Sequence, residues 1–303
     1  MSQFVQDLTK NIKGAVLPGE SLKRHTTWRI GGPAEVLVMP ENQDDVIKAL
    51  KIAADRAKTV TVIGNGSNLL VADCGIEGIV LKLAGGMANC RIRNQHLIAE
   101  SGCLLPGLAR QTVESCFSGL EFAAGIPASL GGALVMNAGA HGGELGAIVE
   151  EVQACNFIGE KIGFSREDCG FGYRTSIFQQ GGYIILGATL KLNRGNKESS
   201  LEMIKNNLEK RRQSQPLEYP NSGSVFRNVP GFPAGKLIDE AGAKGLRIGG
   251  AMVSEKHANF IINTGEATAA DVLALIDRVK EMVFDKFQIQ LHPEIRILGY
   301  SRE

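Results

Sequence analysis

The sequence has almost no net charge and no long hydrophobic run. Its 33 lysines and arginines nearly cancel its 32 aspartates and glutamates over 303 residues. This balance argues against the broad positive field that binds nucleic acids or anionic membranes, although it permits a local anion pocket. No apolar run approaches the roughly 20 residues of a membrane helix, and the N-terminus lacks the apolar core of a signal peptide. We therefore expect a cytoplasmic protein that binds neither nucleic acid nor membrane.

The sequence also lacks any C-x-x-C pair. Its six cysteines are widely spaced, at Cys74, Cys90, Cys103, Cys116, Cys155 and Cys169. This spacing favours reduced thiols packed mostly in the core over a disulfide framework or a zinc site. We expect no bound metal.

The pattern of apolar residues predicts two or three domains of the α+β class. Short β-rich runs (residues 35–39, 59–63, 78–83 and 183–192) alternate with two helical patterns, one capped by Asn42 and one opened by Pro106 and carrying apolar residues as far as Phe117. A polar stretch after Leu192 leads into a third helix. We predict an N-terminal domain over residues 1–195, with a subdomain boundary near residue 84, and a C-terminal domain over residues 196–303.

The C-terminal domain shows three further local patterns. The third helix ends in basic residues 210–212, which suit the negative end of a helix dipole, and a phosphate-binding role stays open. A strand is predicted over residues 259–263. A last helix is predicted over residues 269–284, with Thr268 and Asp271 as a capping pair.

Glycine is abundant, with 37 in all and eight between residues 119 and 146. We read this stretch as loops, and each ordered glycine costs about 0.5–1 kcal/mol relative to alanine. A dinucleotide threaded between the loops at residues 125–133 and 137–144 would offset that cost.

Residues 62–70 contain a second candidate, a predicted strand that runs into a glycine-containing turn. It could bring backbone N–H groups to an anion, and an ordinary hairpin is an equal alternative. It is not a Rossmann fingerprint, because Leu69 replaces the third glycine and another turn follows at residues 71–75.

A third loop, residues 231–237, only superficially resembles a triphosphate-binding loop. It is one residue short between its glycines, and Leu237 stands where a Mg²⁺-binding hydroxyl belongs. We therefore reject an ATPase. Lys236 could still meet a diphosphate or be a solvated surface lysine.

Six segments, in order, resemble the UDP-N-acetylenolpyruvoylglucosamine reductases, also called UDP-N-acetylmuramate dehydrogenases. The resemblance spans nearly the whole chain and is carried by residues 24–32 (RHTTWRIGG), 64–70 (GNGSNLL), 125–137, 172–178 (GYRTSIF), 223–228 (GSVFRN) and 292–296 (HPEIR). Six ordered motifs are far more specific than any one of them. No extra tyrosine-bearing loop lies between Arg174 and Ser224, so the chain resembles the shorter subtype.

The resemblance implies an α+β fold with a vanillyl-alcohol-oxidase-type FAD-binding domain of two α+β subdomains, followed by a C-terminal α+β substrate-binding domain. It implies non-covalent FAD, NADPH as hydride donor, and reduction of UDP-N-acetylglucosamine enolpyruvate to UDP-N-acetylmuramate in peptidoglycan precursor synthesis. We expect a monomer, although no residue indicates the oligomeric state. By position, the implied FAD contacts are Thr27, Gly64, Asn65, Gly66, Ser67, Asn68, Leu69, Gly125, Ile126, Pro127, Ser129, Gly131, Gly132, Asn137, Ala138, Gly139 and Arg247.

The resemblance also implies three catalytic residues, Arg174, Ser224 and Glu294. Hydride addition at C3 of the enol ether leaves charge at C2 that spreads only into the adjacent carboxylate, so groups are needed to hold that carboxylate, disperse the charge and protonate C2. Arg174 suits a two-pronged clamp, Ser224 a proton donor, and Glu294 a hydrogen-bond donor whose pKa we expect to be raised. The implied substrate contacts are Tyr173, Arg174, Asn228 and Lys236.

Two other functions stay open. One is a flavin oxidase or dehydrogenase that acts on a sugar or alcohol, with O₂ reoxidising the flavin. The other is a nucleotide-binding module without catalysis, which would leave Arg174, Ser224 and Glu294 without a role. His141 and His257 could contact a ligand or be structural. If NADPH and the UDP-sugar take turns in one pocket, the kinetics should be ping-pong.

Overall fold

A computed structural model describes residues 2–299, which divide into two compact units. Unit 1 comprises the chain up to Pro18, Glu35–Asn65 and Glu77–Lys210. Unit 2 comprises Gly19–Ala34, Gly66–Ile76 and the chain from Arg211 onward. Because the units are not consecutive stretches of sequence, they cannot be compared with single cuts at residues 84 and 195, and those domain boundaries stay predictions.

The described residues form seven α-helices and eighteen strands, together with four short 3₁₀ helices. The α-helices are α1 (Gln3–Asn11), α2 (Gln43–Asp55), α3 (Leu105–Glu114), α4 (Leu130–Val135), α5 (Lys197–Ser214), α6 (Ala234–Glu240) and α7 (Ala269–Phe287). The strands are β1 (Ala15–Pro18), β2 (Ala34–Met39), β3 (Val60–Ile63), β4 (Leu69–Val71), β5 (Ile76–Lys82), β6 (Cys90–Arg93), β7 (His96–Glu100), β8 (Phe117–Ser118), β9 (Gly139–Ala140), β10 (Gly143–Glu144), β11 (Val149–Asn156), β12 (Lys161–Ser165), β13 (Tyr183–Lys191), β14 (Asn193–Arg194), β15 (Arg247–Ile248), β16 (Ala251–Val253), β17 (Ile261–Asn263) and β18 (Arg296–Leu298). None of the helices in residues 2–299 is long and apolar enough to cross a membrane.

Unit 1 contains two larger sheets, each with its own core. The first has the strand order β1-β2-β5-β3, and its core includes Leu8 of α1 and Val46 of α2. The second is antiparallel, with the order β12-β11-β13-β7-β6, and its core includes Leu108 of α3 and Leu134 of α4. The Asn42 side chain accepts a hydrogen bond from the Asp45 N–H at 3.1 Å, so α2 begins at its predicted cap.

Unit 2 combines α6 and α7 with the antiparallel sheet β15-β16-β17 and the parallel pair β18-β4. Trp28, the single tryptophan, is fully buried in its core and donates from Nε1 to the Ile261 carbonyl at 2.9 Å. Thr268 and Asp271 form the predicted capping box of α7. That helix continues to Phe287, three residues past the predicted end at residue 284.

Two local predictions were wrong because the chain pairs with distant segments. Helix α3 ends at Glu114, and Phe117, which we placed on the helix, lies in β8 opposite Arg194 of β14. Residues 69–71, which we placed in turns, form β4 and pair in parallel with β18. Neither partner is visible in the local pattern of the sequence.

Two predictions from composition held only in part. The glycine-rich stretch is not all loop, because Gly131 and Gly132 lie in α4. Of the six free cysteines, Cys103, Cys155 and Cys169 are buried, Cys90 is half-buried, and Cys74 and Cys116 are exposed. Burial raises the pKa of Cys103 to about 12, which leaves that thiol almost fully protonated at neutral pH.

Candidate functional site

Unit 1 contains a glycine cradle, formed by Gly64, Asn65, Ser101 and residues 125–132. The Asn65 side chain donates to the Pro127 carbonyl at 2.8 Å and ties the loop after β3 to the loop before α4. Gly64 faces Ser129, and a Cβ on Gly64 would lie 2.5 Å from the Ser129 Oγ. The position therefore leaves no room for a side chain as the loops stand.

Two hydroxyl groups of the glycine cradle are buried without a hydrogen-bond partner among residues 2–299, on Ser101 and Ser129. Their residues are 0% and 1% exposed. A buried donor without a partner is costly, so such groups indicate a ligand that completes the bonding. The Gly131 N–H donates to the Ser101 carbonyl at 2.9 Å, which brings Ser101 against the start of α4. Uncharged donors beside open backbone suit the oxygens of a pyrophosphate.

Unit 1 also fixes Arg174. Its Nη2 donates to the Gly139 carbonyl at 3.1 Å, and its guanidinium lies 5.4 Å from the centre of the Tyr173 ring. Asn137 is fully buried, donates to the Gly172 carbonyl at 2.9 Å and accepts from the Gly146 N–H at 2.7 Å.

Two residues of these segments have left-handed backbone conformations. Asn137 and Arg174 have φ angles of +40° and +53°, a conformation that non-glycine residues adopt rarely. Such strain persists only where the surrounding structure enforces it, and it concentrates at functional sites. Arg174 is half-buried, whereas Tyr173 is 56% exposed.

Unit 2 gathers other residues that the sequence singled out. The Thr27 N–H donates to the Gly66 carbonyl at 3.1 Å. Asn68 forms two hydrogen bonds with the segment that carries Glu294. Its side chain donates to the Glu294 carbonyl at 3.2 Å, and its backbone carbonyl accepts from the Arg296 N–H at 2.9 Å. Thr27, residues 66–69 and Glu294 therefore belong to connected segments of one unit.

Unit 2 also contains a pocket of about 420 Å³, which we call the lysine pocket. Ser224 is half-buried in its wall, and the next residue, Val225, accepts from the Glu294 N–H at 2.7 Å. The Ser224 and Glu294 segments are thus neighbours. The lysine pocket is lined by Ser224, Asn228, Pro233, Gly235, Lys236, Asp239, Lys244, Lys256, His257, Ala258 and Asn259.

The lysine pocket includes both predicted substrate residues of unit 2. Asn228 accepts from the Ala234 N–H at 3.0 Å and so anchors the start of α6. Lys236 is 70% exposed and lies 3.7 Å from Glu240, one turn along α6. Arg247 is not in the lining; it donates to the Gly249 carbonyl at 2.9 Å and to the Thr264 hydroxyl at 3.1 Å. Sequence reasoning missed Lys244, Lys256 and Asn259, which belong to no motif.

The predicted catalytic residues are divided between the units, with Arg174 in unit 1 and Ser224 and Glu294 in unit 2. The predicted FAD contacts are divided as well, because Gly64 and Asn65 belong to unit 1 whereas Gly66 begins a segment of unit 2. Among residues 2–299, no cluster of three or more His, Cys, Asp or Glu side chains could hold a metal ion.

Two family models match the chain. The FAD binding domain matches residues 34–160, and the C-terminal domain of UDP-N-acetylenolpyruvoylglucosamine reductase matches residues 215–298. Together they cover the whole glycine cradle and the whole lysine pocket.

Several relatives match over nearly their full length. The UDP-N-acetylenolpyruvoylglucosamine reductase of Carboxydothermus hydrogenoformans is 46% identical, over 98% of this chain and 99% of that protein. The enzyme of the same name from Heliobacterium modesticaldum is 46% identical, over 97% of this chain and 94% of that protein.

Solved structures agree. The UDP-N-acetylenolpyruvylglucosamine reductase of Thermus caldophilus is 37% identical, with a TM-score of 0.82 over 95% of this chain and 100% of that chain. The BBE-like 1 protein of Physcomitrella patens is 15% identical, with a TM-score of 0.50 over 63% of this chain and 44% of that chain, a likeness of fold alone. The predicted α+β, vanillyl-alcohol-oxidase-type fold is confirmed.

Proposed function

The chain belongs to the UDP-N-acetylenolpyruvoylglucosamine reductase family, and on that premise we propose that it reduces UDP-N-acetylglucosamine enolpyruvate to UDP-N-acetylmuramate with NADPH as hydride donor. It is an oxidoreductase with an FAD-binding domain. The proposed substrates, a nucleotide sugar and NADPH, suit a cytoplasmic reaction of peptidoglycan precursor synthesis. We expect the active protein to be a monomer.

The glycine cradle fits FAD. Ser101 and Ser129 offer unpartnered buried hydroxyls, and the absence of a side chain at Gly64 lets the Ser129 hydroxyl approach the backbone there. We assign the pyrophosphate to this cradle, and we propose residues 137–139 of unit 1 and Thr27, residues 66–69 and Arg247 of unit 2 as further contacts of FAD. When bound, FAD accepts hydride from one substrate and donates it to the other, so the two need not be present together.

Arg174 is proposed to hold the substrate carboxylate. A guanidinium presents two parallel N–H donors that match a carboxylate, and its attraction grows as negative charge flows onto those oxygens. Its bond to the Gly139 carbonyl and its strained backbone hold the side chain in place before the substrate arrives. Tyr173 is proposed as a neighbouring substrate contact.

Ser224 is proposed to give a proton from Oγ to C2. A serine hydroxyl is a weak acid, but the dianion formed by hydride addition is basic enough to take its proton. Glu294, on the neighbouring segment, is proposed to donate a hydrogen bond in its protonated form and so to disperse the growing charge. The single observation that supports this assignment most is that Ser224 lies half-buried in a pocket lined by Lys236, Lys244 and Lys256.

These lysines suit the diphosphate of a nucleotide sugar. Three lysines and one acid, Asp239, line the lysine pocket, so it offers several cationic donors to an anionic ligand. Its volume of about 420 Å³ falls within the usual range of small-molecule sites. We propose that Asn228 and Lys236 contact the substrate there.

An anaerobic colour test separates this function from a flavin oxidase. The purified protein should be yellow and lose its colour with NADPH. When UDP-N-acetylglucosamine enolpyruvate is then added without oxygen, the colour should return at a rate no slower than kcat. Recovery of colour only after O₂ is admitted would favour an oxidase and refute the proposal. Initial rates should give parallel double-reciprocal lines, and intersecting lines would contradict the exchange of substrates in one pocket.

A further inference from the structure

His257 lines the lysine pocket but has no part in the reaction described so far. Three contacts hold its ring. Its Nδ1 lies 3.2 Å from the Asn259 N–H, which donates to it, and its ring centre lies 4.7 Å from that of Phe260 at 61°. Gly235 of α6 meets the ring edge, where a Cβ would lie 3.3 Å from Cε1. The imidazole is therefore oriented before any ligand binds.

The bond from Asn259 selects one form of the ring. An Nδ1 that accepts a hydrogen bond carries no proton, so the neutral ring carries its proton on Nε2. Burial lowers the pKa of His257, a hydrogen bond with its own backbone partly opposes this, and the positive charge of Lys244 lowers the pKa further, so the neutral form is favoured. Within residues 2–299, no other residue forms a hydrogen bond or ion pair with Nε2.

The lysines of the pocket are not equally available. The Nζ atom of each lysine lies close to a carboxylate oxygen. The distances are 2.7 Å for Lys244 and Asp239, 3.7 Å for Lys236 and Glu240, and 4.0 Å for Lys256 and Glu218. Each cation is thus shared with an acidic side chain. The Nε2–H of His257 is a donor that no acidic side chain in the described part of the chain shares.

We propose that His257 donates a hydrogen bond from Nε2 to a phosphate oxygen of the nucleotide sugar's diphosphate. The inference rests on the proposed function, which brings that diphosphate to the lysine pocket. Phosphate oxygens accept such bonds strongly because they are charged.

Asn259 connects this contact to the reacting end of the substrate. Its side chain accepts from the Phe226 N–H at 2.9 Å and donates to the Phe226 carbonyl at 2.8 Å, and its carbonyl accepts from the Val225 N–H at 2.8 Å. These bonds fix the segment that follows Ser224 relative to the His257 ring. A diphosphate bound to His257 would therefore have a fixed position relative to Ser224.

Two substitutions separate donation from packing. His257→Asn keeps an oxygen that can replace Nδ1 as acceptor for the Asn259 N–H, but it places no donor where Nε2 lies. His257→Gln places its amide nitrogen close to that position. The measurement is the Kd of UDP for the FAD-loaded protein, by calorimetry and without turnover.

We expect His257→Asn to raise the Kd of UDP at least about tenfold, as for a lost hydrogen bond to a charged group, and His257→Gln to stay within about threefold of the wild type. His96→Asn is the matched control, because His96 lies on β7 in unit 1, 3.0 Å from Glu150, and should leave the Kd unchanged. Bound FAD and the melting temperature report whether each variant folds.

Two results would overturn the inference alone: a His257→Asn protein that binds UDP as tightly as the wild type, or equal losses in the Asn and Gln variants, which would indicate a structural ring. A wild-type protein that is yellow and bleached by NADPH but does not bind UDP would instead refute the nucleotide-sugar substrate. Without that substrate, the proposed role of His257 would also be refuted.

Discussion

The glycine cradle of unit 1 and the lysine pocket of unit 2 offer opposite chemistry to the phosphates that we assign to them. The cradle uses open backbone and the unpartnered hydroxyls of Ser101 and Ser129, without a charged side chain. The pocket uses lysines and an oriented histidine. The cradle thus depends on glycines and uncharged hydroxyls, and the pocket on charged side chains and an imidazole. Added atoms should damage the first, and removed groups the second.

Removing a charged group should have the largest effect. Arg174→Met leaves the substrate carboxylate without its clamp, and loss of comparable electrostatic groups lowers kcat about 10²–10³-fold. Because Arg174 is proposed to contact the UDP-sugar and not NADPH, bleaching by NADPH should keep its wild-type rate. Stopped-flow absorbance of each half-reaction measures both. A slowed bleaching step, or normal turnover, would contradict the role of Arg174.

Adding atoms to the cradle should have the next largest effect. In Gly64→Val, the Cβ would lie 2.5 Å from the Ser129 Oγ and displace the hydroxyl that we assign to the pyrophosphate. Overpacking of this kind typically costs about 1–3 kcal/mol, so the Kd of FAD should rise about 10–100-fold. Flavin fluorescence during titration of the apoprotein measures it. Wild-type affinity in a folded variant would show that the pyrophosphate lies elsewhere.

A glycine outside the cradle should behave in the opposite way. Gly107 is exposed within α3, and a Cβ there would meet nothing within 4 Å. Gly107→Ala should therefore raise the free energy of unfolding by about 0.5–1 kcal/mol, because alanine loses less backbone entropy in a helix. Thermal or urea unfolding of the FAD-loaded protein measures it, and the affinity for FAD should not change. A destabilised protein would contradict the open space around this residue.

Local signals in the sequence predicted local structure well. Asn42 and Thr268 were identified as helix caps because a capping side chain bonds to backbone only a few residues away. The end of α3 was mispredicted because apolar residues continue to Phe117, which instead pairs with Arg194 on β14. A partner so far along the chain leaves no trace in the local pattern.

The candidate site shows the same difference between what local sequence predicts and what only the folded chain shows. The segment at residues 64–69 reads as one motif, yet the structure assigns Gly64 and Asn65 to unit 1 and Gly66 to unit 2. Ser224, Asn228 and Lys236 were identified through the family resemblance. Lys244, Lys256 and Asn259 were not, because they lie on separate turns that only the folded chain brings to one pocket. Ser129 was identified, but only the structure shows that its hydroxyl is buried without a partner.

The central claim is that unit 2 supplies the proton through Ser224, and the two half-reactions of a Ser224→Ala protein test it most directly. Ser222→Ala is the control, since that hydroxyl lies only two residues away but does not line the lysine pocket. In anaerobic stopped-flow, both variants should bleach with NADPH at the wild-type rate. On addition of UDP-N-acetylglucosamine enolpyruvate, the colour of Ser224→Ala should return at least about 100-fold more slowly than that of the control. Equal rates of recovery would contradict the claim.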